Sequence, residues 1–371
     1  MRWLVLALAL AADSAAASQY EPLDGRILVF AGQSPQASLD YQALPNTPRP
    51  AGFSDYIAYD VGAPYKDYAP DAPRTFRGND GLLEATNWGS GDQCVACLLE
   101  REEFAQSVIN IGMYLAGPQA ADGGMCRGRE DCAIARLARG EFDKQLKVFA
   151  DWLLSLEDRP VLLRVGYEFD GPWNNYDPQQ FKAGWRHIHR FLATAGVGNV
   201  AYVYHTYGYA DRETLDEFWP GDEYVDWIGY SYFQMDPAVV GVNELALARE
   251  KDLKVFLGEV SPHTGDCTQQ IDLAKDTELG RQWIDNFFKH VEDNRDVIRA
   301  IAYINEPWND VERAPMWQDQ QDHNCGGYFS RSNARLNDNP ELEEHWAKKI
   351  GRPLYLNLEP NLYDKLLTGD K

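Results

Sequence analysis

Three glutamates carry the chemistry this sequence could perform. Glu168 lies in LLRVGYEFDGPW (162–173), Glu259 in KVFLGEVSPH (254–263) and Glu306 in AYINEPW (302–308). Each follows an apolar run and sits among glycine, proline or aromatic residues, surroundings that are unusual for a purely structural carboxylate. Two carboxyl groups brought together can cleave a glycosidic bond. One attacks the anomeric carbon or activates water, and the other protonates the departing oxygen. The proton donor needs a raised pKa, hence apolar or acidic neighbours. Tyr167, Phe169 and Trp173 flank Glu168 in this way. The attacking carboxylate must stay ionised and needs donors to hold it, which Arg164 and Tyr232 could supply. Glu306, between Asn305 and Pro307 at the end of an apolar run, is a third candidate, so three groups compete for two roles.

The elements that must position these groups are apolar extended runs alternating with amphipathic stretches. The extended runs span 26–32, 55–61, 107–115, 159–168, 199–207, 224–233, 253–260 and 298–306. Most are continuously apolar, as in strands covered on both faces. Helical spacing falls between them at 141–157, 178–196, 243–252 and 278–294, with Gly196 and Gly198 ending the second. Eight strands alternating with helices predict a (β/α)8 TIM barrel, an α/β fold forming a single catalytic domain. A last helix near 341–350 and the extended RPLYLNLEP tail are expected to pack outside it. An open doubly wound sheet is the alternative fold, and the lack of a glycine-rich phosphate loop after the first run counts against it.

In such a barrel chemistry sits at the C-terminal strand ends, where runs four, seven and eight place Glu168, Glu259 and Glu306. Glu168 and Glu259 are 91 residues apart, about three strand–helix units, and Glu259 and Glu306 are 47 apart, about one. Either pair is geometrically admissible.

The 371 residues are 44% hydrophobic with a formal net charge of −22. So acidic a surface disfavours nucleic acid, anionic membranes and polyanionic polymers, leaving a neutral polymer as the fitting substrate. The start, MRWLVLALALAADSAAAS, reads as a secretory signal over 1–18, too short to span a bilayer, with a mature domain over 19–371. Export to the extracellular space or periplasm follows, as does a soluble monomer. Six cysteines in an exported chain suggest disulfides. Cys94–Cys97, Cys126–Cys132 and Cys267–Cys325 are the expected pairs. No second C-x-x-C and no histidine pair at zinc spacing accompanies Cys94 and Cys97, so no metal and no organic cofactor is expected. His187 and His189 fall within a helix and read as structural, and Trp227 as barrel packing.

RPVLLRVGYEFDGPWNNY, FWPGDEYVDWIGYSYF and KVFLGEVSPH together resemble glycoside hydrolase family 26, most of all its endo-β-1,3-xylanase branch. RILVFAGQS and AYINEPWND extend the resemblance over most of the mature chain. It implies a retaining enzyme on a (β/α)8 barrel, with Glu168 as acid/base after strand four and Glu259 as nucleophile after strand seven. The substrate would be a neutral β-linked polysaccharide cut internally. β-1,3-xylan is the first choice, β-mannan or β-glucan the alternative, and a non-catalytic sugar-binding barrel the further one. Tyr167 stands where the family's mannanases usually carry histidine, and Glu306 followed by Pro307 departs from the xylanase branch. Around the pair, Asp170, Trp173, Tyr232, Glu306, Trp308, His205, Gln33, Tyr167 and Arg164 are the expected substrate-contacting residues.

Overall fold

The apolar runs close into a parallel barrel. A computed structural model describes residues 18–59, 76–87, 89–116, 126, 129–262, 270–313, 315 and 331–367. The barrel strands are β1 (Ile27–Ala31), β2 (Gly52–Ala58), β3 (Val108–Tyr114), β4 (Val161–Val165), β5 (Val200–Thr206), β6 (Trp227–Tyr232), β7 (Lys254–Val260) and β8 (Ile298–Tyr303). Each pairs in parallel with the next, and β8 pairs back onto β1 to close the ring. The expected (β/α)8 architecture is therefore the observed one. The greatest shift from the sequence reading is at β2, expected over 55–61 and found three residues earlier.

The helices form where local chemistry starts and stops them. The helix over Pro178–Thr194 begins with Pro178 behind Asp177, whose carboxylate accepts the amides of Gln179 and Gln180 at 2.9 and 3.0 Å. It ends where Gly196 turns left-handed at φ +87°. His187 ties it to the helix over Asp143–Ser155 through an Nε2–Asp143 contact of 2.7 Å, and His189 packs between the rings of Tyr202 and Tyr224. Both histidines are structural, as their helical position implies.

The floor of the barrel differs from expectation. Residues Tyr355–Leu356 form a ninth strand, β9, paired with the lower end of β1. Leu356 joins Leu28, Phe30, Ala201, Trp227 and Phe256 in the apolar cluster that fills the barrel bottom. Such a bottom needs a cover, and the tail supplies it together with the N-terminal segment. Tyr20 N–H donates to Leu367 O at 2.6 Å, Leu367 N–H to Glu21 O at 2.8 Å, and the Trp227 indole N–H to Gln19 O at 2.7 Å. Trp227 is thus barrel packing.

The disulfides Cys94–Cys97 and Cys126–Cys132 are formed. The pair Cys267–Cys325 lies outside the described residues, as do residues 1–17 of the expected signal. No helix among the described residues is long and apolar enough to cross a membrane.

Candidate active site

Alternation along the strands decides which side chains enter the barrel. On β6, Trp227 points inward, which sends Gly229 and Ser231 inward and Tyr230 and Tyr232 outward. On β7, Phe256 and Gly258 point inward, and plain alternation would turn Glu259 out with Leu257. A bulge prevents this. Tyr230 pairs with Leu257 and Ser231 with Glu259, so Gly258 is an extra residue opposite β6. The bulge re-aims Glu259 into the barrel mouth.

There Glu259 Oε1 accepts two hydrogen bonds, from Tyr56 Oη at 2.8 Å and Arg164 Nη1 at 2.7 Å. Arg164 is wholly buried one layer below. Its Nε donates to Asn110 Oδ1 at 3.2 Å, and the Asn110 amide donates to Ser54 Oγ at 2.8 Å. The guanidinium also lies 5.2 Å from the Tyr56 ring centroid and 5.1 Å from that of Tyr167. A buried guanidinium stripped of one such partner would be strongly unfavourable, so this network fixes the Glu259 carboxylate in place. Room for it comes from glycines. A Cβ on Gly258 would sit 2.6 Å from His205 Nε2 and 2.8 Å from Arg164 Cδ, and one on Gly112 would sit 2.5 Å from the Tyr56 ring.

Glu168 crowns the turn after β4. Its backbone is left-handed, φ +51°, an arrangement costing a non-glycine residue roughly 1–2 kcal/mol. The turn is held by several bonds. Glu168 N–H donates to His205 O at 2.8 Å, Gly171 N–H to Glu168 O at 2.9 Å, and the Asn174 amide to the carbonyls of Tyr167 and Glu168, both at 2.9 Å. Ser231 Oγ donates to Glu168 Oε1 at 2.6 Å and Trp173 Nε1 to Oε2 at 3.1 Å. Burial pushes the Glu168 pKa well above the carboxylate range, and the negative charge of Glu259 adds to this against the Ser231 bond. Ser231 bridges the two carboxylates: it is the cross-strand partner of Glu259 and the hydrogen-bond donor to Glu168.

The remaining expected residues divide. Trp173 keeps more than a third of its surface exposed, and its ring meets Tyr207 edge-on at 4.6 Å. It also lies over Gly171, where a Cβ would come within 2.5 Å of it. Asp170 does not point into open space. Its Oδ1 accepts the Tyr207 amide at 2.7 Å, and burial raises its pKa to about 7. His205 is buried beneath the mouth. Desolvation, then the neighbouring Arg164, pushes its pKa well below the usual histidine value and keeps it neutral. Tyr167 is half-buried against Tyr56.

Two expectations are corrected. Tyr232 is no donor to Glu259, because it points outward and its ring packs against Trp283, Phe287 and His290. Tyr56 on β2 takes that place. Glu306 does not hang at the rim as a third carboxylate available to sugar. It is 4% exposed, Ser34 Oγ donates to its Oε1, and its Oε2 pairs with Arg313 Nη2 at 2.9 Å. Arg313 also binds Asp40 at 2.9 Å, so Glu306 belongs to a buried ionic lock across the β8–β1 seam. Trp308 is likewise buried, 1% exposed, and spends its indole N–H on Gln33 Oε1 at 2.8 Å. Tyr56 and Ser231 were both missed from sequence. The signal for Ser231 was available, being two steps of alternation from Trp227. No group of His, Cys, Asp and Glu among the described residues could hold a metal ion.

A closed parallel barrel with two buried, hydrogen-bonded carboxylates at the C-terminal ends of β4 and β7 is the arrangement a TIM-barrel glycoside hydrolase requires. Comparison with known proteins bears on which one. The sequence profile of Glycosyl hydrolase family 26 matches residues 136–310. A β-1,3-xylanase from Alcaligenes sp. is 27% identical over 388 residues, covering 99% of this chain and 73% of its own length. A β-1,3-xylanase from Vibrio sp. is 28% identical, covering 100% and 76%. Among solved structures, a modular endo-β-1,4-mannanase from Cellulomonas fimi superposes with a TM-score of 0.57 at 14% identity, covering 96% of this chain and 80% of its own. A family 26 β-mannanase from Bacteroides ovatus gives 0.54 at 16%, covering 91% and 94%. Over residues 136–310 the chain is thus similar to glycoside hydrolase family 26, and the solved structures share its fold.

Proposed function

We propose that this protein is an endo-acting retaining β-glycosidase whose substrate is β-1,3-xylan. Glu259 attacks the anomeric carbon while Glu168 gives its proton to the leaving oxygen. Glu168 then takes a proton from water, which hydrolyses the glycosyl-enzyme and returns the original anomeric configuration. Each environment suits its role. Glu259 is held by two donors, Tyr56 and Arg164, whereas burial beside the Glu259 carboxylate raises the pKa of Glu168. The single observation that carries the reading is this division of two buried carboxylates at the barrel mouth into a donor-held nucleophile and a desolvated acid.

The choice of β-1,3-xylan rests on the two xylanase relatives, which match nearly the whole chain. The second reading, a β-mannanase, is favoured by the names of the solved structures, whose likeness extends to the fold alone. Reducing-sugar release from β-1,3-xylan, β-1,4-xylan, β-mannan and β-glucan separates them. Turnover of β-1,3-xylan above the others is the expected result, and preference for mannan would overturn the substrate. Hydrolysis of none, with binding retained, would reduce the protein to a sugar-binding barrel. Glu168→Gln and Glu259→Gln should each abolish turnover of polysaccharide.

A further inference from the structure

The mouth of the barrel has a gap between β1 and β2. β1 pairs with β2 only at Gly52 and Phe53, whereas β3 pairs with β2 along its whole length to Ala58. On its other side the stretch carrying Tyr56 meets no backbone partner until Ala58, which exchanges hydrogen bonds with Asp80 at 2.9 and 3.1 Å. Yet its hydroxyl must meet Glu259, on the far side of the barrel, within 2.8 Å.

Asp55 occupies the unpaired side. Its carboxylate is wholly buried on the outer face of β2. Oδ1 accepts the amide of Tyr56 at 2.8 Å, and Oδ2 accepts the amide of Cys94 at 2.9 Å. The Gln93 side-chain amide also faces Oδ1. Cys94 opens a five-residue helix, Val95–Leu99, and its sulfur is bonded to Cys97. That turn is anchored in its own right, Val95 N–H donating to Gly81 O at 2.9 Å and Ala96 N–H to Leu82 O at 2.8 Å. Burying a carboxylate is costly unless it is well bonded. Packing alone would be served by an apolar side chain, so the group that fits this place is one that accepts two amides at once.

We propose that Asp55, braced by the disulfide-closed turn at Cys94–Cys97, is a positioning residue that sets Tyr56 and, through it, Glu259. The carboxylate replaces the missing rungs of the β1–β2 ladder with a link to a turn that cannot open. It touches no substrate. The inference rests on Glu259 as nucleophile.

A double-mutant cycle tests it. Asp55→Asn puts an amide N–H₂ against an N–H donor and breaks one of the two links, while Tyr56→Phe removes the hydroxyl at the end of the chain. Each should lower kcat by about ten- to a hundredfold, the scale for a reacting group displaced by up to an ångström, with KM unmoved. The trapping rate of Glu259 by an activated 2-deoxy-2-fluoro glycoside, followed by intact mass, should fall in parallel. If Asp55 acts through Tyr56, the double variant is no slower than Tyr56→Phe alone. Losses that multiply, or a fall in melting temperature with kcat retained, would overturn the proposal. Should Asp55→Asn not fold, Cys94→Ala/Cys97→Ala takes its place in the same cycle, since it opens the turn and leaves Asp55. A wild-type protein that neither turns over any β-glycan nor traps the inhibitor would sink the nucleophile assignment, and the positioning role with it. An active wild type with an additive cycle would sink the positioning role alone.

Discussion

Replacing Gly258 by alanine tests the geometry beneath the two carboxylates most directly. The added Cβ would lie 2.6 Å from His205 Nε2 and 2.8 Å from both His205 Cδ2 and Arg164 Cδ. Carbon contacts are comfortable at about 3.5–4.0 Å, so the overlap is roughly 0.7–1 Å. Neither neighbour has space to retreat, both being wholly buried. Overpacking of this kind costs about 1–3 kcal/mol, and for a large domain each kcal/mol is worth about 2–4 °C, so melting should fall by about 2–12 °C. Arg164 is pushed while bonded at 2.7 Å to Glu259, and a shift near 1 Å at a reacting group costs about a hundredfold in kcat/KM. Gly229→Ala is the matched control. Its Cβ would meet His205 Cδ2 at 2.8 Å and Val203 Cγ1 at 2.9 Å but not Arg164. The two variants should therefore lose similar stability in a thermal melt, while only Gly258→Ala loses about two orders of magnitude in kcat/KM on the preferred glycan. Equal activity losses, or an unimpaired Gly258→Ala enzyme, would refute the view that Arg164 fixes Glu259 through a space cleared by Gly258.

Three further outcomes follow from the same geometry. Ser231→Ala takes a donor from the ionised form of Glu168, so the alkaline limb of the kcat/KM profile, where the acid loses its proton, should move to higher pH; a downward move would contradict the bond. Glu306→Gln should cost stability by about 1–3 kcal/mol, since Arg313 loses one charged partner and keeps Asp40, and leave the chemical step standing. An inactive but fully folded Glu306→Gln protein, paired with an active Glu168→Gln, would transfer the acid role to Glu306. Asp170 has its pKa raised from 3.8 in the unfolded chain to about 7 in the fold. Its contribution to stability is thus present below pH 3.8 and lost as pH rises through about 7, because the folded state holds the proton longer. Thermal melts across that window should show a smaller decline with rising pH for Asp170→Asn than for the parent.

Much of this architecture was legible in the sequence because continuous apolar runs and helical spacing are strong, repeated signals. Strand ends were legible too, and they placed Glu168 and Glu259 at the mouth. Individual side-chain directions were harder. A strand read as 55–61 puts Tyr56 near the barrel floor, whereas the real strand, Gly52–Ala58, carries it up to Glu259. Tyr232 was read as facing the site although Trp227, five residues earlier and inward, sends it outward. Glu259 shows the opposite case: simple alternation would have turned it out, and only the bulge at Gly258, invisible in composition, turns it in. Glu306 misled because local context cannot reveal a partner such as Ser34, 272 residues away.

The clasp beneath the barrel bears on how the molecule is made. Residues 18–23 and 365–367 hold one another, and β9 secures the foot of β1. Synthesis delivers β1 well before both of its later neighbours, so its edge stays unmatched until β8 emerges and its foot until β9 does. Such edges are adhesive. Exposure to aggregation is thus greatest before β8 emerges to pair with β1, and the barrel bottom stays uncovered until residues 354–367 follow. A helper that shields the β1 edge during that interval would raise yield without touching the finished enzyme.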